Sequence, residues 1–117
     1  MALLQDVVHA VARRPGVEAV VLASPDGLTI EHVSPPATDA DAIAALTATL
    51  AQQVRDLGRA AGRGRFATAV LEFNGGMVVL AELGVEGTLV VQVRAGTDIG
   101  QLLFDLDRHR PAVAELL

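Results

Sequence analysis

Seven side chains and one glycine-rich stretch are where this sequence could do chemistry: His9, His32, His109, Ser24, Ser34, Glu72, Glu82 and the run from Gly58 to Arg65. Imidazoles bind zinc and related ions, but a helical metal site wants a second ligand at i+3 or i+4. None of the three histidines has one, and they fall in three different segments, which reads as surface or rim positions. Both serines adjoin a proline in turn or loop sequence, outside any nucleophile-elbow pattern. Glu72 and Glu82 would sit on neighbouring antiparallel strands, the arrangement from which a carboxylate pair runs acid and base catalysis. With Asn74-Gly75 as a two-residue turn, however, Phe73 opposes Gly76 and Glu72 opposes Met77, leaving Glu82 well down the ladder. Gly58-Arg59-Ala60-Ala61-Gly62-Arg63-Gly64-Arg65 has the composition of a phosphate-cradling loop. Such loops follow a strand and open a helix, whereas here the glycines close a helix and lead into a strand, so Gly62 or Gly64 is a helix stop. No constellation for covalent, acid-base or metal chemistry emerges, and the expectation is a binding module without cofactor or metal. Arg59, Arg63 and Arg65 still form a basic cluster on an acidic chain, a candidate surface for docking an acidic partner.

The elements that would position these residues follow from hydrophobic period and turn chemistry. Leu3, Leu4, Val7, Val8 and Val11 fall on one helical face that Pro15-Gly16 ends. Val17 to Ala23 and Leu28 to Val33 are β-rich runs around Ser24-Pro25-Asp26-Gly27, which predicts a hairpin. After a long helix come Phe66 to Phe73, Met77 to Leu83 and Thr88 to Ala95, joined by connections too short for anything but antiparallel neighbours. The order is α-β-β-α-β-β-β-α, an α+β fold in one domain of 117 residues, long enough to bury roughly two-thirds of its unfolded surface.

The long middle helix starts after Pro35-Pro36, with Thr38 or Asp39 as its cap. Its period places Ile43, Leu46, Leu50, Val54, Leu57 and Ala61 on one stripe, expected to face the sheet. The flank beside it carries Ala44, Thr47, Ala48, Ala51, Gly58 and Gly62. Small side chains let a second helix approach closely, so this flank is the expected seam of a homodimer; the plainer reading is that alanine is simply a good helix former. A hydrophobic fraction of 51% is high for so small a domain and also favours a surface that meets another chain.

Composition narrows the classes further. A net charge of -5 and only three aromatic residues, Phe66, Phe73 and Phe104, argue against nucleic acid, which is bound by cations and stacked on rings. The absence of cysteine excludes disulfides and thiolate chemistry and suits a reducing cytoplasm. Met1 to Arg14 is interrupted by Gln5, Asp6 and His9, so neither a signal sequence nor membrane insertion is expected.

Three stretches carry a resemblance. Gly96-Thr97-Asp98-Ile99-Gly100-Gln101-Leu102-Leu103-Phe104-Asp105-Leu106-Asp107-Arg108-His109-Arg110 resembles the last helix of bacterial Roadblock (dynein light chain) domains. Gly16-Val17-Glu18-Ala19-Val20 and Ser24-Pro25-Asp26-Gly27-Leu28 are similar to that family's first hairpin. The resemblance runs from about Leu3 to Leu117. It implies a five-stranded antiparallel sheet with the middle helix on one face and the terminal helices on the other. It also implies a homodimer in which the strand from Phe66 to Phe73, with Phe66, Thr68 and Val70, pairs with its copy while the middle helices pack together. The function it implies is non-catalytic: docking to, or regulation of, a Ras-like small GTPase in bacterial polarity, motility or signalling. A structural dimer that assembles other chains is the competing expectation, and a small-molecule sensor using a pocket beside the sheet is a third. Pro111 departs from the family pattern; the last helix is expected to stop or bend near His109, with Val113, Leu116 and Leu117 returning to the core.

Overall fold

The structure, a computed structural model, describes residues 4–84 and 87–115. Its elements are α1 (Leu4–Ala12), β1 (Val17–Ala23), β2 (Thr29–Val33), α2 (Ala40–Ala60), β3 (Thr68–Phe73), β4 (Gly76–Glu82), β5 (Thr88–Arg94) and α3 (Gly100–Glu115). The five strands form one antiparallel sheet in the order β2-β1-β5-β4-β3. A hairpin and a three-stranded meander, both read from local turns, are thus joined by a long-range pairing of β1 with β5, which closes the centre of the sheet.

Alternation along the central strands divides the core in two. Val20, Leu22, Val79, Ala81, Val91 and Val93 point to one face and pack under Val8 of α1 and Leu102 and Leu106 of α3. Val21, Ala23, Leu80 and Val90 point to the other, beneath Ala40 and Ala44 of α2. The helices therefore lie as the resemblance implies. Leu4, Val7 and Val11 complete the α1 stripe as partly buried packing; Leu3 lies outside the described residues.

Local chemistry explains most boundaries. Gly27 takes a positive φ of 87° and its N–H donates to the Ser24 carbonyl at 3.0 Å, closing the turn between β1 and β2. The Asp39 carboxylate accepts from the Ala42 N–H at 3.0 Å and caps α2. At the other end Gly62, with φ 66°, donates to the Arg59 carbonyl while the Arg63 N–H reaches back to the Gly58 carbonyl at 2.9 Å. This paired arrangement is a Schellman stop. The β3–β4 register is the one Asn74-Gly75 dictates: Phe73 opposes Gly76, Glu72 opposes Met77 and Thr68 opposes Ala81.

One boundary differs from expectation. α3 runs as helix through Pro111 to Glu115 instead of stopping near His109. Proline deletes one donor and crowds the turn before it, a local cost that the rest of the helix tolerates. The expected return of Val113, Leu116 and Leu117 to the core falls outside the described residues and side chains.

The turn after α1 is tied to α3 by Arg14 and Asp105 at 2.6 Å. Burial works against ionisation of Asp105, but hydrogen bonds from Gln101 and Arg14 and the charges of Arg14 and His109 outweigh it and hold its carboxyl below the usual value. The tie therefore stands at neutral pH and is lost only as pH falls through that lowered value.

Gly58 yields a prediction of unusual sign. Alanine is the better helix former, yet a Cβ at Gly58 would lie 2.8 Å from the Gly64 carbonyl oxygen, a backbone atom held by the helix stop. Gly58→Ala should therefore destabilise the protein by roughly 1–2 kcal/mol, seen as a melting temperature lower by about 5 °C. An unchanged or higher value would mean the loop yields.

Candidate interaction surface

α2 presents two adjacent stripes, and the expectation holds for only part of the larger one: the small stripe is the buried one, and the large stripe straddles the margin of the core. Ala40, Ala44, Thr47 and Ala51 are the buried positions, with Ala44 wholly covered by the sheet. Leu46 and Leu57 are instead 71% and 66% exposed. Ile43 and Leu50 are half-buried at the margin of the sheet-side core, and Val54 is half-buried beside them. The expected assignment of Ala44, Thr47 and Ala51 to a dimer seam is therefore corrected: these small residues let α2 sit close against its own sheet. The closeness is visible at Gly27, where an added Cβ would lie 3.3 Å from the Ala45 Cα and 3.5 Å from the Ala48 Cβ. Ala48 is half-buried against that turn, and Gly58 is small because the Gly64 carbonyl faces it. Of the stripe expected to face the sheet, Ile43 and Leu50 border the core and Leu46 and Leu57 turn outward, an edge at a spacing that suits a partner helix.

β3 offers a second open feature. Among the described residues it pairs only with β4, so its other edge carries open N–H and C=O groups. Ala69 and Leu71 lean to the α2 side and pack on that core. Val70, 43% exposed, faces the α1–α3 side, as its cross-strand partner Val79 does. Thr68 is exposed and its hydroxyl accepts from Arg110 Nη2 at 2.7 Å. Phe66 precedes the strand instead of opening it, and is half-buried against the α2-side core.

The basic cluster occupies the end of α2 and the loop leading to β3. Arg59, Arg63 and Arg65 are all exposed, and Arg59 pairs with Asp56 one helical turn away. The remaining candidates stay apart. His9 and His32 are exposed and engage only neighbours in sequence, the Gln5 carbonyl and the Ser34 hydroxyl. The Ser24 hydroxyl serves its own turn, accepting from the Leu28 N–H at 3.0 Å.

Glu82 has a role that sequence reasoning did not find. It is buried at the end of β4, where Arg55 of α2 donates to it through Nε at 2.6 Å and Nη2 at 2.5 Å. The Thr88 hydroxyl adds a bond at 3.2 Å. Both Arg55 nitrogens converge on Oε2 while Thr88 takes Oε1, so the buried carboxylate is held on both oxygens and ties α2 to the end of β4. The available signal was the position of Arg55 on the inward stripe four residues after Ala51.

Comparison with known proteins agrees with this architecture. The sequence profile described as the Roadblock/LC7 domain matches residues 3–93, which leaves the last-helix stretch outside the match. No curated protein matches the chain significantly. Among solved structures, a Roadblock/LC7 domain from Streptomyces avermitilis superposes with a TM-score of 0.85 at 23% identity, covering 97% of each chain. MglB of Myxococcus xanthus gives 0.85 at 19% identity, covering 97% of this chain and 96% of that one. The gliding protein MglB of Thermus thermophilus gives 0.82 at 20% identity, with 97% and 87% covered. At these identities the superpositions speak for the fold.

Proposed function

Because the chain belongs to the Roadblock/LC7 domain family, a family of adaptors and regulators rather than enzymes, we propose that it acts as a cytoplasmic homodimer that binds a Ras-like small GTPase. Two observations carry the reading: Leu46 and Leu57 of α2 are left exposed, and β3 has an unpaired edge. Two copies related by a two-fold axis cover both features at once: β3 pairs with β3, and the two α2 stripes pack on each other. Such a dimer offers a partner a continuous sheet and two copies of the Arg59, Arg63 and Arg65 cluster.

The dimer works by positioning. Phosphoryl transfer in GTPases depends on ordering the nucleotide-binding protein's own loops and on electrostatic stabilisation. A partner without catalytic residues stimulates hydrolysis by holding those loops in place. The basic cluster contributes docking contacts to acidic groups.

The test is binding of the purified dimer to a small GTPase encoded beside it, loaded with GTP or GDP. Preference for the GTP form is expected, with no hydrolysis by the dimer alone. Replacing Arg59, Arg63 and Arg65 together by alanine should weaken binding by about tenfold or more, the scale of a few charge-assisted contacts. Retained binding with lost stimulation would make one of them an inserted arginine instead. Failure of a folded dimer to bind in either nucleotide state would leave a structural scaffold in place of the regulator.

A further inference from the structure

The backbone of β3 restricts how a second copy can join it. The Ala67 carbonyl accepts from the Glu82 N–H at 2.9 Å, on the ladder that sets Thr68 opposite Ala81. Along an antiparallel strand, residues alternate between those whose N–H and C=O both turn to one neighbour and those whose groups turn to the other side. Ala69, Leu71 and Phe73 therefore spend theirs on β4, while Thr68, Val70 and Glu72 hold the open ones. A copy joined through this edge must set open residues against open residues. The two-fold axis then passes through a residue and never between two, and the residues near the middle of β3 are Ala69, Val70 and Leu71.

Side-chain chemistry selects among the three. Thr68, Val70 and Glu72 oppose Ala81, Val79 and Met77, all of the α1–α3 core, so their side chains share that face. The Thr68 hydroxyl accepts from Arg110 Nη2 at 2.7 Å. A hydroxyl that accepts from a guanidinium keeps its own proton to give, and none of the described residues takes it. Glu72 is exposed and has no partner among the described residues. With the axis at Val70, each Thr68 stands opposite the partner's Glu72, and all three open residues meet strand residues. With the axis at Ala69, Glu72 would face Phe66, which precedes the strand. With the axis at Leu71, Thr68 would face Asn74 of the turn, Glu72 would face Val70, and the two Glu72 carboxylates would be diagonal neighbours of like charge.

We propose that two copies pair through β3 with Val70 on the two-fold axis, and that Glu72 of each copy accepts from the Thr68 hydroxyl of the other, with Arg110 polarising that hydroxyl from behind. The assignment rests on the dimer reading and adds the register and the side chains that fix it.

The chain has no cysteine, so a single introduced one reports the register. A residue on the axis lies about 4.5–5.5 Å from its own copy, within disulfide reach, whereas its sequence neighbours lie diagonal to theirs at about 7–8 Å, beyond it. Val70→Cys should therefore form a covalent dimer under mild oxidation, and Ala69→Cys and Leu71→Cys should not, with light scattering under reducing conditions reporting whether each variant still associates. Thr68→Val and Glu72→Ala should each weaken association of the cysteine-free chain by about tenfold, and the two together by no more than either alone, because both lose the same bond. A dimer that cross-links through Ala69→Cys or Leu71→Cys in place of Val70→Cys would overturn the register and leave the dimer reading standing. Additive losses, or none, in the Thr68 and Glu72 variants would overturn the contact between them. A dimer that cross-links at none of the three positions would remove β3 from the interface and the proposal with it, and a chain that stays single would overturn both readings.

Discussion

Light scattering should find two chains per particle for the wild-type protein and one for the Leu46→Glu/Leu57→Glu variant, with the circular dichroism of the two superimposable. Both leucines are already exposed in the single chain, so the change leaves the core untouched. What it removes is the stabilisation from covering them, roughly 1.5–3 kcal/mol for each leucine fully buried. It also sets like charges opposite one another across a two-fold axis, and both effects act against association. Ala51→Glu makes the contrast. Ala51 is 1% exposed on the buried side of α2, so a carboxylate there is forced against the sheet without a partner, and loss of the fold is the expected outcome. A wild-type chain that stays single at high micromolar concentration, or a double-glutamate variant that remains a dimer, would remove the α2 stripe from the interface.

The second large effect belongs to the Arg55–Glu82 pair. Removing Arg55 leaves the Glu82 carboxylate, 7% exposed, with only the Thr88 hydroxyl as partner. Breaking such a pair from one side costs about 3–5 kcal/mol; because the Arg55 side chain is itself 29% exposed, the lower end is expected. Arg55→Ala should lose about 3 kcal/mol in denaturant unfolding, while Arg55→Leu/Glu82→Leu, which leaves no charge stranded, should lose much less. Equal losses in the single and double variants would mean that packing, and not the charge, is what Arg55 supplies.

The sequence was most legible where one residue type has a local job. Asn74-Gly75 sets the register of the β3–β4 ladder, Asp39 caps α2, and Gly62 ends it, each through an interaction within a few residues. The faces of α2 were not legible, because two stripes one residue apart share the same period and periodicity cannot say which is inward. Ranking by hydrophobicity then chooses the leucines. The fold chooses Ala40, Ala44, Thr47 and Ala51, since a helix lying across a flat sheet needs short side chains. Large apolar side chains turned outward were themselves the sign of an interface. Glu82 stands far from Glu72 as the register predicts, but its role was not legible for a related reason: its partner is 27 residues away on another layer. The stretch from Gly96 to Arg110, quoted for its likeness to the family, lies beyond the matched residues 3–93, so the α1–β5 portion carries the sequence evidence.

The far border of the sheet bears on how large an assembly can grow. β2 is the other edge, only five residues long, with a register irregularity in its pairing to β1 between Leu22 and Ala23. Pro35 and Pro36 follow it closely, and the Thr29 hydroxyl donates to Asp41 of α2 at 2.7 Å, drawing its beginning toward that helix. A short, irregular border flanked by prolines is a poor template for another strand. A sheet with two receptive borders would polymerise into ribbons; under the proposed β3–β3 pairing, joining a second copy would consume the receptive border of each, and extension would terminate at ten strands.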